Sequence, residues 1–121
     1  MNNKILEILE YRRLKHMAVP SLASAAGQEE LEQLVPQTDL KTVQTMIEET
    51  TDAADINRIV GPIPVPALAN IRPQLKRLRV QASLNGTELA QIAKVLQTTL
   101  AMNNFFDRLR DDQIDLRQLY Q

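Results

Sequence analysis

A chain of 121 residues that is 44% hydrophobic carries enough apolar side chain for one core, and without cysteine it has neither a disulfide framework nor thiol chemistry. Aromatic residues make up only 3% and Trp is absent, so the core must come from Leu, Ile, Val, Ala and Met, which favours packed helices over an aromatic-rich β-sandwich. A net charge of −1 excludes strong overall attraction to nucleic acid or acidic lipid, and no apolar run approaches the about 20 residues of a membrane span, so a cytoplasmic protein with no membrane partner is expected.

Residues 3–18 read as helix in one or two pieces, with Asn3 as the cap and Ile5, Leu6, Ile8, Leu9, Leu14, Met17 and Ala18 on the apolar face. Pro20 ends it, because proline disfavours the α conformation in the residue before it. Ser21 fits the N-cap of a second helix over 22–35 that buries Leu22, Ala26, Leu31 and Leu34. Gly27 inside that pattern points to close packing of another backbone or to a kink. Pro36 stops this helix, and Thr38 or Asp39 caps a long one over 40–60. Its apolar rows are Leu40, Val43, Ile47, Thr50 and Ala54, then Met46, Ala53, Ile56 and Val60; Glu48, Glu49, Asp52 and Asp55 fall on the exposed side.

Gly61-Pro62 is a stop signal, and Pro62–Pro66 reads as a stiff extended connector, since three prolines in five residues remove the donors a sheet needs. Asn70 caps a basic helix over 71–82, with Pro73 in the first turn and Ile71, Leu75, Leu78 and Ala82 inward. Asn85-Gly-Thr-Glu88 has capping-box spacing and opens a helix over 86–110. Leu89, Ile92, Ala93, Leu96 and Leu100 make one stripe of it, and Val95, Met102, Phe106 and Leu109 another, so it is expected to be central or to meet a partner. Asp111-Asp112 breaks it, and 113–120 reads as one more helical piece that runs to Tyr120-Gln121 without a stop signal, as in a fragment of a longer protein. The expectation is one all-α domain over 1–121: an irregular bundle of five to seven helices with a proline-rich connector in the middle.

Charge is distributed unevenly. Residues 28–55 hold eight acids against one base, Lys41, and no acid occurs between Asp55 and Glu88. In that gap Arg72, Lys76, Arg77 and Arg79 lie on one short helix, which makes them the candidate nucleic-acid-binding residues, since phosphates attract Lys and Arg without regard to sequence. The competing reading is a surface helix whose cations pair with the acids of 40–60. Catalytic and metal sites are expected to be absent. Three scattered glycines (Gly27, Gly61 and Gly86) write no phosphate loop, and a single His without Cys excludes the common zinc sites. His16, among Arg12, Arg13 and Lys15, reads as a solvated surface residue.

An ordered set of residues resembles a known family. It comprises Leu9-Glu10-Tyr11; Ser24 to Gly27 with Leu34 and Pro36; Asp39, Val43 and Glu48-Glu49-Thr50; Ile63-Pro64-Val65; Ile71-Arg72-Pro73 with Leu75-Lys76-Arg77; and Leu84 with Glu88-Leu89. In order and spacing it resembles the N-terminal region of the second bacterial MutS paralogue, the Smr-bearing relative of the mismatch-repair ATPase MutS. The chain departs from that pattern at Pro66-Ala67, where the family often has a glycine pair, and at Asn70, where it often has Asp. The resemblance implies a non-catalytic core and lever region of an ATP- and Mg-dependent homodimer with a C-terminal Smr endonuclease domain. Such proteins act on branched DNA in recombination suppression, or on stalled ribosomes and their rRNA. Two readings of other classes stand beside it: a stand-alone helical adaptor that uses the two-sided helix 86–110, and a weak non-specific nucleic-acid module that uses 72–79.

Overall fold

The computed structural model describes residues 2–120. The chain is all-α: 67% helical, with six helices and no strand among the described residues. They are α1 (Asn3–Ile8), α2 (Tyr11–Ala18), α3 (Ala25–Gln33), α4 (Leu40–Ile59), α5 (Arg72–Arg79) and α6 (Gly86–Asp111). They gather into two compact units, each drawn from both halves of the sequence. The first takes the residues up to Pro36 with Pro66–Ile92, and the second takes Gln37–Val65 with the residues from Ala93 onward.

In the first unit the N-terminal helix is in two pieces. Glu10 adopts the left-handed conformation (φ 52°), which ends α1 and turns the chain into α2. The cap is Asn2 and not Asn3, because its Oδ1 accepts the Lys4 amide at 3.0 Å. The expected apolar face is largely exposed: Ile5, Ile8, Leu9, Leu14 and Met17 face solvent, and Leu6, Tyr11, Lys15 and Ala18 are the half-buried positions. Pro20 sits in a 3₁₀ turn (Val19–Ser21), so Ser21 caps nothing. Leu22 is extended and Ser24 becomes the cap instead, its Oγ accepting the Gly27 amide at 3.1 Å. The second helix is therefore shorter than 22–35, and Ala26 and Leu34 are exposed. A Cβ at Gly27 would meet only Ser24 Oγ at 3.4 Å and Leu22 Cδ2 at 3.8 Å, so no backbone of another element presses on it. The Ala25 amide reaches Leu68 O at 3.4 Å in a single parallel bridge between Ser24 and Leu68.

The second unit holds the buried core: Ile56, Phe105, Leu109 and Leu116, with Ile63, Phe106, Ile114, Leu119 and Tyr120 packed around them. Asp39 caps α4 as expected, accepting the Thr42 amide at 2.9 Å and the Thr42 hydroxyl at 2.7 Å; these bonds hold its carboxyl below the ordinary range. The buried row of α4 is the Met46, Ala53 and Ile56 side, while Leu40 and Ile47 of the other expected row are exposed. After Gly61 (φ 110°) the connector closes a three-residue turn around Pro64, the Val65 amide donating to Ile63 O at 2.8 Å.

The C-terminal end of α6 departs from expectation, because residues 113–120 are not helical. Gln113 (φ 57°) ends α6 in a Schellman motif, with Gln113 N–H donating to Arg110 O and Ile114 N–H to Leu109 O, both at 3.0 Å. Of the terminal pair read without a stop signal, Gln121 lies outside the described residues. The segment that follows the motif is held by Asp52, which is buried (2% exposed) and not on the solvent side of α4. Its Oδ1 accepts the Arg117 amide at 3.0 Å, and its Oδ2 accepts those of Gln118 at 2.6 Å and Leu119 at 3.1 Å. Burial pulls this carboxyl upward, but the three amides outweigh it and hold the group below its ordinary value. Gln118 Nε2 also donates to Glu48 Oε2 at 2.7 Å, and Tyr120 donates its hydroxyl to Ile114 O at 2.8 Å. Phe106 meets Tyr120 edge-on at 6.5 Å, and the Arg110 guanidinium lies over the Tyr120 ring at 5.1 Å.

Candidate nucleic-acid interface

The basic helix α5 belongs to the first unit. It is shorter than 71–82. Ile71 stands at the cap position, and Asn70 Oδ1 accepts the Arg72 amide at 3.0 Å, so Asn70 still receives the first free amide. Pro73 occupies the first turn, where its missing N–H leaves no bond unmade. The end is a second Schellman motif: Gln81 (φ 59°) donates to Leu78 O, and Ala82 N–H to Arg77 O, both at 3.0 Å.

The inward face expected for this helix is thin. Ile71 and Ala82 are half-buried, but Leu75 and Leu78 are 43% and 45% exposed. Gln74, half-buried, donates through Nε2 to Gln91 Oε1 at 3.0 Å, and its own Oε1 is buried without a hydrogen-bond partner. The helix therefore lies lightly on its unit and presents both cations and leucine to solvent.

The four candidate cations divide into two pairs. Arg72 is ion-paired with Glu29 of α3, and Arg77 with Glu88 in the first turn of α6. Lys76 and Arg79 are exposed and make no ion pair among the described residues. Both paired cations thus find acids of their own unit. Within the second unit Asp55 pairs with Arg58 at 3.0 Å, Glu48 accepts from Gln118, and Asp52 is taken by main-chain amides. Spacing of i, i+4, i+7 puts Arg72, Lys76 and Arg79 on one side of α5, with Arg77 beside them.

Glu88 has two tasks. It completes the expected capping box, accepting the Asn85 amide at 3.0 Å while its own amide donates to Asn85 Oδ1 at 2.9 Å. The same carboxylate anchors Arg77, and the Asn85 amide first, then Arg77, hold it below the ordinary carboxylate range. Helix α5 is thus tied at Arg72 and Arg77 to neighbours in its own unit. Its remaining charge, Lys76 and Arg79, points to solvent.

Sequence reasoning missed the roles of Asp52 and of α2. Main-chain amides more than 60 positions away leave no pattern in the residues around Asp52, so charge periodicity alone put it on the surface. His16 is exposed as expected, but it also lines a cavity with Arg12 and Lys15. No group of three His, Asp or Glu side chains among the described residues could hold a metal ion, and none of their helices is long and apolar enough to cross a membrane.

No family model matches the chain. Proteins named endonuclease MutS2 are similar to it along nearly its whole length. The one from Lactiplantibacillus plantarum is 44% identical over 122 residues, which is 99% of this chain and 16% of that protein. The one from Levilactobacillus brevis is 49% identical over 119 residues, 98% of this chain and 15% of that protein. The one from Enterococcus faecalis is 38% identical over 120 residues, 99% of this chain and 15% of that protein. The chain is homologous to a segment of endonuclease MutS2 proteins, as the resemblance implied, and it spans about 15% of the length of these relatives.

Proposed function

We propose that this chain is the non-catalytic core and lever region of a MutS-like ATPase and endonuclease that acts on branched DNA or on stalled ribosomes, and that α5 meets a sugar-phosphate backbone there. The observation that carries the reading is similarity to endonuclease MutS2 proteins over 98–99% of the chain. Lys76 and Arg79 support the second half, because cations without an ion pair are free to replace counterions on phosphate. In this reading ATP with Mg, the dimer contact and the nuclease chemistry belong to the parent protein outside these residues. The chain's own Gly27, Gly61 and Gly86 do not form a phosphate loop, and its described acids do not group as metal ligands. The parent would work in the cytoplasm.

The test is fluorescence anisotropy with a labelled branched duplex, a labelled linear duplex and a labelled RNA stem, each at two salt concentrations. The chain alone should bind all three non-specifically, with Kd on the order of 10⁻⁴–10⁻⁶ M at physiological salt. The double variant Lys76→Glu, Arg79→Glu should weaken all three alike and lower the slope of log K against log salt by about 2. Binding that is absent at low salt, or indifferent to the double reversal, overturns α5 as the interface. The adaptor reading has its own support in α6, where Leu96 and Leu100 are exposed, and it would gain from a null result with all three nucleic acids.

A further inference from the structure

The first unit contains a cavity that the nucleic-acid reading does not use. It measures about 360 Å³ and lies among α1, α2, α3 and the residues that follow α3. Its apolar wall is Leu6, Val19, Leu31, Leu34 and Val35. A cavity of about 150 Å³ accommodates a benzene ring, so this one has room for about two large side chains. It is open to solvent: Val19, Leu34 and Val35 remain 38%, 38% and 51% exposed.

The charged part of the lining is mostly basic. Arg12, Lys15 and His16 face it against a single acid, Glu32. The groups that would orient a small ligand are already engaged. Lys15 Nζ donates to Glu32 O at 2.7 Å and Leu34 O at 3.0 Å, which satisfies carbonyls at the end of α3. The Tyr11 hydroxyl donates to Leu34 O at 3.2 Å, and Gln28 Nε2 donates to Glu32 Oε1 at 3.1 Å. Arg12 and His16 are left at i, i+4 on the exposed side of α2, with neither an ion pair nor a hydrogen bond among the described residues. A small-molecule pocket gathers a few convergent polar groups at its base. Here half-buried Leu6 and Leu31 stand beside polar groups already bonded within the unit, and the unpaired charge is on exposed Arg12. That arrangement suits an apolar side chain inserted from a surface that carries acids beside it.

We infer that this cavity docks an acidic amphipathic helix of a partner protein, with one or two large apolar side chains among Leu6, Leu31 and Leu34 and carboxylates against Arg12 and His16. This is the helix-in-groove mode, in which anchors recur at i, i+3, i+4 and i+7. It is independent of α5 and of phosphate binding.

The probes are three labelled helix-forming peptides of about four turns. The first has Leu at the anchor positions and Glu elsewhere, the second replaces Glu by Lys, and the third replaces Leu by Ala. Anisotropy titrations are run on the whole chain at a concentration where sedimentation shows a single species. The Leu/Glu peptide should bind at least about tenfold more tightly than either of the others. Arg12→Glu should weaken it about tenfold, whereas Arg13→Glu, the same charge change at the neighbouring residue that pairs with Glu10 outside the lining, should not. Leu31→Trp, which fills the cavity, should abolish binding while far-ultraviolet circular dichroism stays helical. If that variant unfolds, the Arg12 and Arg13 pair decides. Equal binding of the Glu and Lys peptides, or equal losses at Arg12 and Arg13, overturns the inference. So does a peptide that fails to bind while Arg12→Glu dissolves a dimer of the chain, which would make the occupant a second copy.

Discussion

Replacing Asp52 is the sharpest perturbation available in the second unit. Its two oxygens accept three main-chain amides, from Arg117, Gln118 and Leu119, at 3.0, 2.6 and 3.1 Å, and the side chain is 2% exposed. A hydrogen bond to a charged group is worth about 1.5–3 kcal/mol, and three at the low end come to about 4–5 kcal/mol. Asp52→Ala cannot exceed the free energy of docking the segment, because residues 116–120 would move into water before leaving three buried amides unpaired. That limit puts the expected loss at about 3–5 kcal/mol, out of a total stability on the order of 5–15 kcal/mol. Asp52→Asn keeps one acceptor but turns an NH₂ toward the amides, and about 2–3 kcal/mol is expected. Since the folded carboxyl titrates below its ordinary value, its contribution is complete above the unfolded pKa of about 3.9 and fades as the pH falls through the lower folded value. Urea titrations at pH 7 and at successively lower pH should therefore separate wild type from Asp52→Asn at pH 7, with the gap narrowing once the pH falls below the unfolded carboxylate value. Amide exchange at Arg117, Gln118 and Leu119 reports the same event locally. A midpoint for Asp52→Asn that matches wild type at pH 7, with those three amides still protected, would refute the account of Asp52 as the anchor of this segment.

Three further outcomes follow from local geometry. Gly27→Ala should leave stability unchanged or raise it by up to about 1 kcal/mol in thermal denaturation, since its Cβ meets only ordinary contacts and glycine is the poorer helix former. Gln113→Gly should raise stability by a few tenths to about 1 kcal/mol, because Gln113 pays for a left-handed conformation (φ 57°) that glycine adopts freely. Asn85→Ala should lower it by about 1 kcal/mol, as the Glu88 amide loses its acceptor at the start of α6.

The signals that could be read from the sequence were the ones confined to a few neighbouring residues. Asp39 with Thr42, Asn85 with Glu88, and Gly61-Pro62 each place both partners within four positions, and each forms as expected. Where two local signals competed, the sequence could not arbitrate. Ser21 and Ser24 are both suitable caps, and the choice fell to Ser24 because Pro20 directs Val19–Ser21 into a 3₁₀ turn and Leu22 follows extended. Long-range pairing was the least legible. Asp52 and residues 117–119 meet across more than 60 positions, and the donors are main-chain groups that every residue except proline carries. The same contact explains why 113–120 is not a helix. Amides that would close intrahelical bonds are given to a carboxylate on α4, and a left-handed Gln113 redirects the chain toward it. In the candidate interface, the four cations were legible as a cluster. Their division into two tethered and two free depended on Glu29 and Glu88, and only the structure places those two acids.

The two units divide the work between stability and contact. Among the described residues every fully buried side chain lies in the second unit, around Ile56 and Leu109, together with the Asp52 anchor. The first unit has no residue in that class among the described residues. It has instead the untethered Lys76 and Arg79, the exposed Arg12 and His16, and exposed leucines on both α2 and α5. Surfaces of that kind contribute little to folding and are where binding energy is found, since their apolar area and charge are still exchangeable with a partner. A reversal at Lys76 and Arg79 or at Arg12 therefore changes residues outside the buried cluster. A loss of nucleic-acid binding from the first, or of peptide binding from the second, would report on contact and not on collapse of the core.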